Sequence, residues 1–380
     1  MSIKIAIPKE VLAGETRVAM APDGVRRLLS DDVSFVVQSG AGESASFSDE
    51  DYREVGAEIA GDAAGLYGQA DVVLKINKPT LEEAGLIREG ALLLAALDPY
   101  ASADLLQKLA TRNVTAMSLE MVPRITRAQS MDILSSMSTL AGYKAVVMGA
   151  DHLGKVFPLL MTAAGTLSPA HVLVLGAGVA GLQAIATAKR LGGAVEGYDI
   201  RAAVKEQVES LGAKFVEWTE AELAEMGSPA EDRETEGGYA KELAADEQEK
   251  ERELVARHVA KSDVVVTTAL IPGKPAPKLI TREMVERMKP GSVIVDMAAI
   301  TGGNCELTQA DQKVVHQGVT ILGPTNLAGT LPVHASQMFG RNLMSLLKEV
   351  LADGEINVDL DNDVVGPCTV THAGEVRFSS

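Results

Sequence analysis

Three glycines in HVLVLGAGVAGLQAIATAKRLGGAVEGYDIR, residues 171–201, carry the most informative spacing in this 380-residue chain. Gly176, Gly178 and Gly181 complete G-x-G-x-x-G directly after an apolar strand-like run and at the start of a helical pattern. Asp199 stands at the end of the next strand-like run. The chemistry served by this spacing is recognition of a pyrophosphate. The first glycine permits a tight turn, the second lets backbone approach phosphate over a helix N-terminus, and the third allows close packing of helix on strand. Asp199 is placed to accept hydrogen bonds from an adenosine ribose and to repel a 2′-phosphate, so NAD(H) is expected over NADP(H). The neighbouring Arg201 works against that preference. The alternative is a Rossmann-like fold that has lost its ligand.

A second cluster, PRITRAQSMDILSS (123–136), places two arginines, a glutamine, an aspartate and serines just ahead of a long apolar segment. Gln129 and Asp132 can bond a carboxamide and ribose hydroxyls, Ser135 can add a donor, and Arg124 can reach a phosphate. The plain structural reading is a helix start capped by Ser130 or Asp132 with solvated arginines. A third stretch, residues 217–251, breaks the surrounding rhythm with glycines and an excess of acids, a composition expected of a surface loop leading into a charged helix. The six histidines are scattered and the two cysteines, Cys305 and Cys368, lie far apart, so neither a metal site nor a disulfide framework is expected.

These residues need elements to position them. Val/Ile-rich runs such as IKIAI, VSFVVQ, DVVLKI and ALLLAAL alternate with helical patterns, the signature of a parallel sheet covered by helices. A second such series runs through HVLVLG, GAVEGYDI, DVVVTTAL, SVIVDMA and VTILG. The expected fold is α/β, with two Rossmann-like domains, the first discontinuous, joined by long helices. Residues 1–125 and 335–380 form the first domain, 145–325 the nucleotide-binding domain, and 126–144 and 326–345 the linkers. DVVGPCTVTHAGEVRF is expected to form a terminal hairpin. The polar cluster would lie between the domains, toward which a nucleotide at the switch point of the second would project. The net charge of −17 argues against nucleic acid or an anionic membrane surface as ligand. The longest weakly polar run, VFPLLMTAAGTLSPA, falls short of a membrane helix, so no membrane insertion is expected. The N-terminus lacks the pattern of a signal peptide.

Together with IPKEVLAGETRVAMAPDGV, RAAVKEQVESLGAKF, GGYAKEL, TTALIPGKPAP and MKPGSVIVDMA, these stretches closely resemble the NAD(H)-binding component of proton-translocating nicotinamide nucleotide transhydrogenase, a family related to alanine dehydrogenase. The resemblance implies hydride transfer between NAD(H) on this chain and NADP(H) on a partner subunit, coupled to proton movement through a membrane component. It also implies a homodimer, and a cytoplasmic location on the inner membrane held through those partners. It implies a nucleotide site made by Arg124, Arg127, Gln129, Asp132 and Ser135, by Gly176, Gly178, Val179, Gly181, Asp199, Ile200 and Arg201, and by Gly238, Tyr239 and Leu270. Gln129 and Asp132 would hold the reacting ring. Tyr239 would close on the adenosine as part of a lid hinged at Gly237 and Gly238, and Leu270 would line the same pocket, although an isolated leucine is usually plain core.

An alanine-dehydrogenase-like enzyme is the competing reading, and an NAD(H)-binding protein without catalysis is a third. Oxidising an amino acid requires a general acid/base and a cation for the carboxylate. Arg17 and Lys75 match that family's substrate-binding arginine and lysine, but Ala96, Leu97 and Asp98 stand where its histidine is expected, and its aspartate falls on Ile300. Transfer between two nicotinamide rings moves only a hydride and needs neither group.

Overall fold

The computed structural model describes residues 2–218, 245–271, 274–352 and 354–378. The chain divides into two compact units, Met1–Met137 with Ala328–Ser380, and Ser138–Leu327. Both are α/β, as the alternation of patterns predicts.

The sheet of the first unit runs in the order Glu375–Val376, Thr369–His372, Thr115–Ser118, Leu92–Ala96, Val72–Asn77, Ile3–Ile7, Val33–Gln38 and Glu58–Ala60. All pairings are parallel except those of the two carboxyl-terminal strands, which form the expected hairpin. Its central strands are buried on both faces, which is why VVLKI and LLLAA read as continuous apolar runs rather than alternating ones. One face packs on the long helix Pro332–Val350 through Phe339, Leu343, Leu346 and Leu347. The other packs on the helix Ala103–Thr111 through Leu105, Leu106 and Leu109.

Lys75 is the exception in this apolar frame. It is fully buried, and its ammonium lies 3.0 Å from Glu83 Oε1 and 3.6 Å from Glu10 Oε2. Glu83 also accepts from the Tyr67 hydroxyl at 2.9 Å and, through its other oxygen, from the Thr80 amide that starts the next helix. A buried charge persists only when it is paired and hydrogen-bonded in this way. Burial pushes the Glu10 carboxyl above the usual carboxylate range despite the nearby Lys75.

In the second unit the order is Lys214–Phe215, Ala194–Tyr198, His171–Leu175, Val264–Thr267, Val293–Asp296, Val319–Leu322 and Lys313–His316. Only the last pairing is antiparallel. From the strand His171–Leu175 the chain builds outward to one side, then returns to build on the other, and that reversal is the topological switch point. Among the described residues no helix is long and apolar enough to cross a membrane.

The strand Ala194–Tyr198 is tied to the helix Ala245–Lys261 by a small polar cluster. Glu196 lies 2.7 Å from His258 Nδ1 and accepts from Lys261 Nζ at 3.1 Å. Burial alone would lift this carboxyl, but the hydrogen bonds from His258 and Lys261 outweigh it and hold the pKa at about 2. A depressed carboxylate stabilises the fold above its unfolded pKa of about 4.3 and loses that contribution as pH falls through its folded value. Glu196→Gln is therefore expected to lower stability by on the order of 1 kcal/mol at pH 7, after allowance for solvent screening. The deficit should shrink at pH 3. Urea denaturation of both proteins at the two pH values checks this, and an undiminished gap at pH 3 would show that the pair is not the cause.

Candidate functional site

Four residues stand level across adjacent parallel strands of the second unit: Tyr198, Leu175, Thr267 and Asp296. The residues that follow the first three, Asp199, Gly176 and Thr268, therefore emerge side by side at the carboxyl edge of the sheet, over the switch point. Gly176 turns the chain with φ 97°, a conformation that side-chain-bearing residues rarely adopt. A Cβ on it would also stand 2.5 Å from the Thr268 hydroxyl oxygen. That hydroxyl donates to the Gly176 carbonyl at 3.1 Å, joining the two walls of the crevice.

Gly181 lies in the first turn of the helix Val179–Arg190, where a Cβ would stand 1.8 Å from the Gly176 carbonyl oxygen. Gly178 differs from both. Its φ is ordinary and nothing lies within 4 Å of where its Cβ would be. The second glycine thus opens onto space at the head of a twelve-residue helix that its N-cap residue leaves without a side-chain cap, and Val179, the first helical residue, is substantially exposed. First-turn amides facing such a space form an anion site, so these residues fit a pyrophosphate.

Asp199 is nearly buried and already hydrogen-bonded. One oxygen accepts from the Ala177 amide and Arg201 Nη2, each at 2.8 Å, and the other from the Arg201 amide and Nε, each at 2.9 Å. A carboxylate offers about four acceptor positions. A ribose hydroxyl thus competes with the Arg201 fork for this carboxylate. The Ala177 contact also ties Asp199 to the glycine turn itself. Ile200 lies between the two, half-buried.

In the first unit, the polar cluster begins as a 3₁₀ helix, Thr126–Met131, before the long helix Ile133–His152. Ala128 and Met131 are buried in the core, whereas Arg124, Arg127, Gln129 and Ser130 are exposed. Arg127 clamps the segment down: its guanidinium donates to Asp363, to Asn362 Oδ1 at 2.9 Å and to Glu349 Oε2 at 3.0 Å. Asn342 donates to the Ser130 carbonyl at 2.8 Å from the long carboxyl-terminal helix. Asp132 accepts from the Ser135 amide at 2.9 Å and its hydroxyl at 2.6 Å, a helix-capping arrangement. Gln129, by contrast, has no side-chain hydrogen-bond partner among the described residues.

Of the other expected site residues, Leu270 is 43% exposed just beyond the strand Val264–Thr267, so it is not plain core. Gly238 and Tyr239, with the proposed hinge at Gly237, lie outside the described residues. Arg17, a candidate for binding a substrate carboxylate, makes a two-pronged ion pair with Glu15 at 2.7 and 2.6 Å. At the end of the strand Leu92–Ala96, Glu120 accepts from the backbone amides of Leu97 and Asp98. Ile300 is largely exposed. Sequence reasoning missed Thr268, which faces Gly176, and Gly142, where a Cβ would stand 2.1 Å from the Ala180 carbonyl oxygen at the head of the fingerprint helix. The signal for Gly142 was a glycine inside a helical pattern, which costs stability unless close packing needs it.

Residues 6–141 match the family described as alanine dehydrogenase/PNT, N-terminal domain, and residues 145–379 the corresponding C-terminal domain. The first portion of NAD(P) transhydrogenase subunit alpha of Rhodospirillum rubrum, a separate chain there, is 48% identical over 381 residues, covering 98% of this chain and 97% of that one. Alanine dehydrogenase of Bacillus subtilis is 30% identical, with 99% of this chain and 93% of that one covered. The crystal structure of transhydrogenase from Sinorhizobium meliloti superposes with a TM-score of 0.88 at 42% identity, covering 98% of this chain and 99% of that one.

Proposed function

The chain belongs to the alanine dehydrogenase/PNT family, and from that membership we propose that it is the NAD(H)-binding component of a proton-translocating transhydrogenase. Its partners are the membrane-spanning and NADP(H)-binding subunits, which hold it peripherally at the cytoplasmic face of the inner membrane, and it acts as a homodimer. Bound NAD(H) supplies or accepts the hydride. The chain's own residues bind and orient: the amides at Gly178 and Val179 hold the pyrophosphate, and Asp199, Ile200 and Arg201 receive the adenosine ribose. Gly238, Tyr239 and Leu270 cover the nucleotide. Gln129, Asp132 and Ser135 fix the dihydronicotinamide, with Arg124 toward a phosphate. Arg127, committed to Asp363 and Glu349, serves this loop by holding it in place.

The observation that carries this reading over a self-contained dehydrogenase is the strand end at Ala96, Leu97 and Asp98. A proton-transfer histidine would stand there in an amino-acid dehydrogenase. Hydride passage between two nicotinamide rings releases no proton, so it tolerates an alanine and a leucine at that place. The 48% identity to the transhydrogenase subunit against 30% to alanine dehydrogenase supports the same choice. The test is reconstitution. Mixed with a purified NADP(H)-binding transhydrogenase component, the chain is expected to exchange hydride between NADH and an NADP⁺ analogue, and alone to form no NADH from L-alanine and NAD⁺. NADH formation from L-alanine by the isolated chain would overturn the assignment, and NADH binding without exchange in the mixture would leave a nucleotide-binding protein only.

A further inference from the structure

The wall of the crevice opposite Asp199 is held by a side chain to which no role has yet been given. Asn304 is fully buried and has all three of its side-chain polar bonds directed at one stretch of backbone. Its Oδ1 accepts from the Ala269 amide at 3.1 Å, and its Nδ2 donates to the carbonyls of Ala269 and Pro277, each at 2.9 Å. Its own carbonyl accepts from the Leu279 and Ile280 amides at 2.8 and 3.0 Å. The loop that delivers it turns at Gly302 and Gly303, both with positive φ, and is held by buried Asp296. That carboxylate accepts from the amides of Ala298 and Cys305 and from the hydroxyls of Thr267 and Thr308.

We propose that Asn304 is a positioning residue for the nicotinamide half of the bound nucleotide, acting through Ala269 to fix Thr268 against the first fingerprint glycine. The proposal rests on the assignment of the crevice to NAD(H). Thr268 touches Gly176 directly, and Ala269 is the next residue, so a loop clamped at both polar groups of Ala269 sets how far apart the two walls stand. A dinucleotide at a switch point puts its adenosine on the side of the first strands, where Asp199 lies, and its other half across the reversal, on the side of Val264–Thr267. A buried amide with every donor and acceptor satisfied fixes one geometry, which apolar packing alone would leave adjustable.

This placement predicts a split that general destabilisation would not give. Asn304→Asp keeps the shape and the acceptor for Ala269 but loses both donors and turns a carboxylate toward two carbonyls. Its affinity for NADH is expected to fall by about tenfold or more, while its affinity for 5′-AMP, which needs only the Asp199 side, changes less than about twofold. Titration calorimetry with both ligands, alongside melting temperature, reads this out. Parallel losses for NADH and AMP, or an unchanged NADH affinity, would overturn the proposal. Thr268→Val, which removes only the hydroxyl on Gly176, is the second variant and guards against an Asn304→Asp chain that fails to fold. It should show the same split at smaller size, and normal binding of both ligands by Thr268→Val would also overturn the proposal. If the unaltered chain binds neither ligand, the assignment of the crevice fails and takes this inference with it; if it binds both and the variants match it, only the inference fails.

Discussion

Gly181→Ala is expected to weaken NADH binding by roughly a hundredfold, the cost of misplacing about two charge-assisted hydrogen bonds. An added Cβ would stand 1.8 Å from the Gly176 carbonyl oxygen and 2.8 Å from its carbon. Both are backbone atoms, so no flexible side chain can move aside. Either the helix Val179–Arg190 withdraws from the sheet or the turn from Gly176 to Gly178 deforms, and in each case the first-turn amides leave the place where phosphate would meet them. Overpacking of this kind also costs about 1–3 kcal/mol of stability. Gly178→Ala supplies the contrast. Its methyl would meet nothing within 4 Å and its φ suits any residue, so the melting temperature should hold while NADH affinity falls through the methyl occupying the ligand's space. A Gly181→Ala protein that binds NADH normally would show that the third glycine has no bearing on the phosphate site.

The reach of the sequence differs from element to element for physical reasons. The fingerprint was legible because each glycine answers a local constraint: a positive φ at Gly176, a close carbonyl at Gly181 and open space at Gly178. The strands were legible because burial on both faces writes itself as runs of valine, isoleucine and leucine. Lys75 inside VVLKI broke that pattern, and its partners Glu10 and Glu83 sit on other elements, so only the fold could show that the charge is neutralised. Arg127 illustrates the opposite failure. In a polar cluster it resembles a ligand residue, yet its guanidinium is held by Glu349, Asn362 and Asp363, more than 200 residues away in sequence. Asp199 was found by its spacing, but the Arg201 fork over it depends on the turn joining them. Asn304 left no local signal at all, because an asparagine after two glycines reads as a turn until the strand edge it braces is known.

The largest kinetic effect is expected at the segment between Arg124 and Ser135. Asp132 has a structural duty already visible: both oxygens receive Ser135, which caps the helix Ile133–His152. If that were its whole role, Asp132→Asn would change little, since asparagine caps about as well as aspartate, and even loss of the cap costs only about 0.5–2 kcal/mol. Gln129 has no such duty, being exposed with its amide unpartnered among the described residues, so a plain structural account predicts no effect there at all. The transhydrogenase reading predicts otherwise. Hydride passage depends steeply on how closely the donor and acceptor carbons approach, and a displacement on the order of 1 Å can cost about a hundredfold in rate. Gln129→Asn shortens the side chain by one methylene, and Asp132→Asn exchanges an acceptor for a donor in the pair that would orient the carboxamide and ribose. Each variant is therefore expected to slow single-turnover hydride transfer to a reconstituted NADP(H) component by about a hundredfold. NADH affinity should change less than about threefold, because the pyrophosphate and adenosine contacts at Gly178 and Asp199 remain. Comparing transfer rate with NADH affinity for each protein separates positioning from binding. Near-normal transfer in both variants would leave this stretch as a clamped helix start, with Arg127 as its anchor and no role in the chemistry.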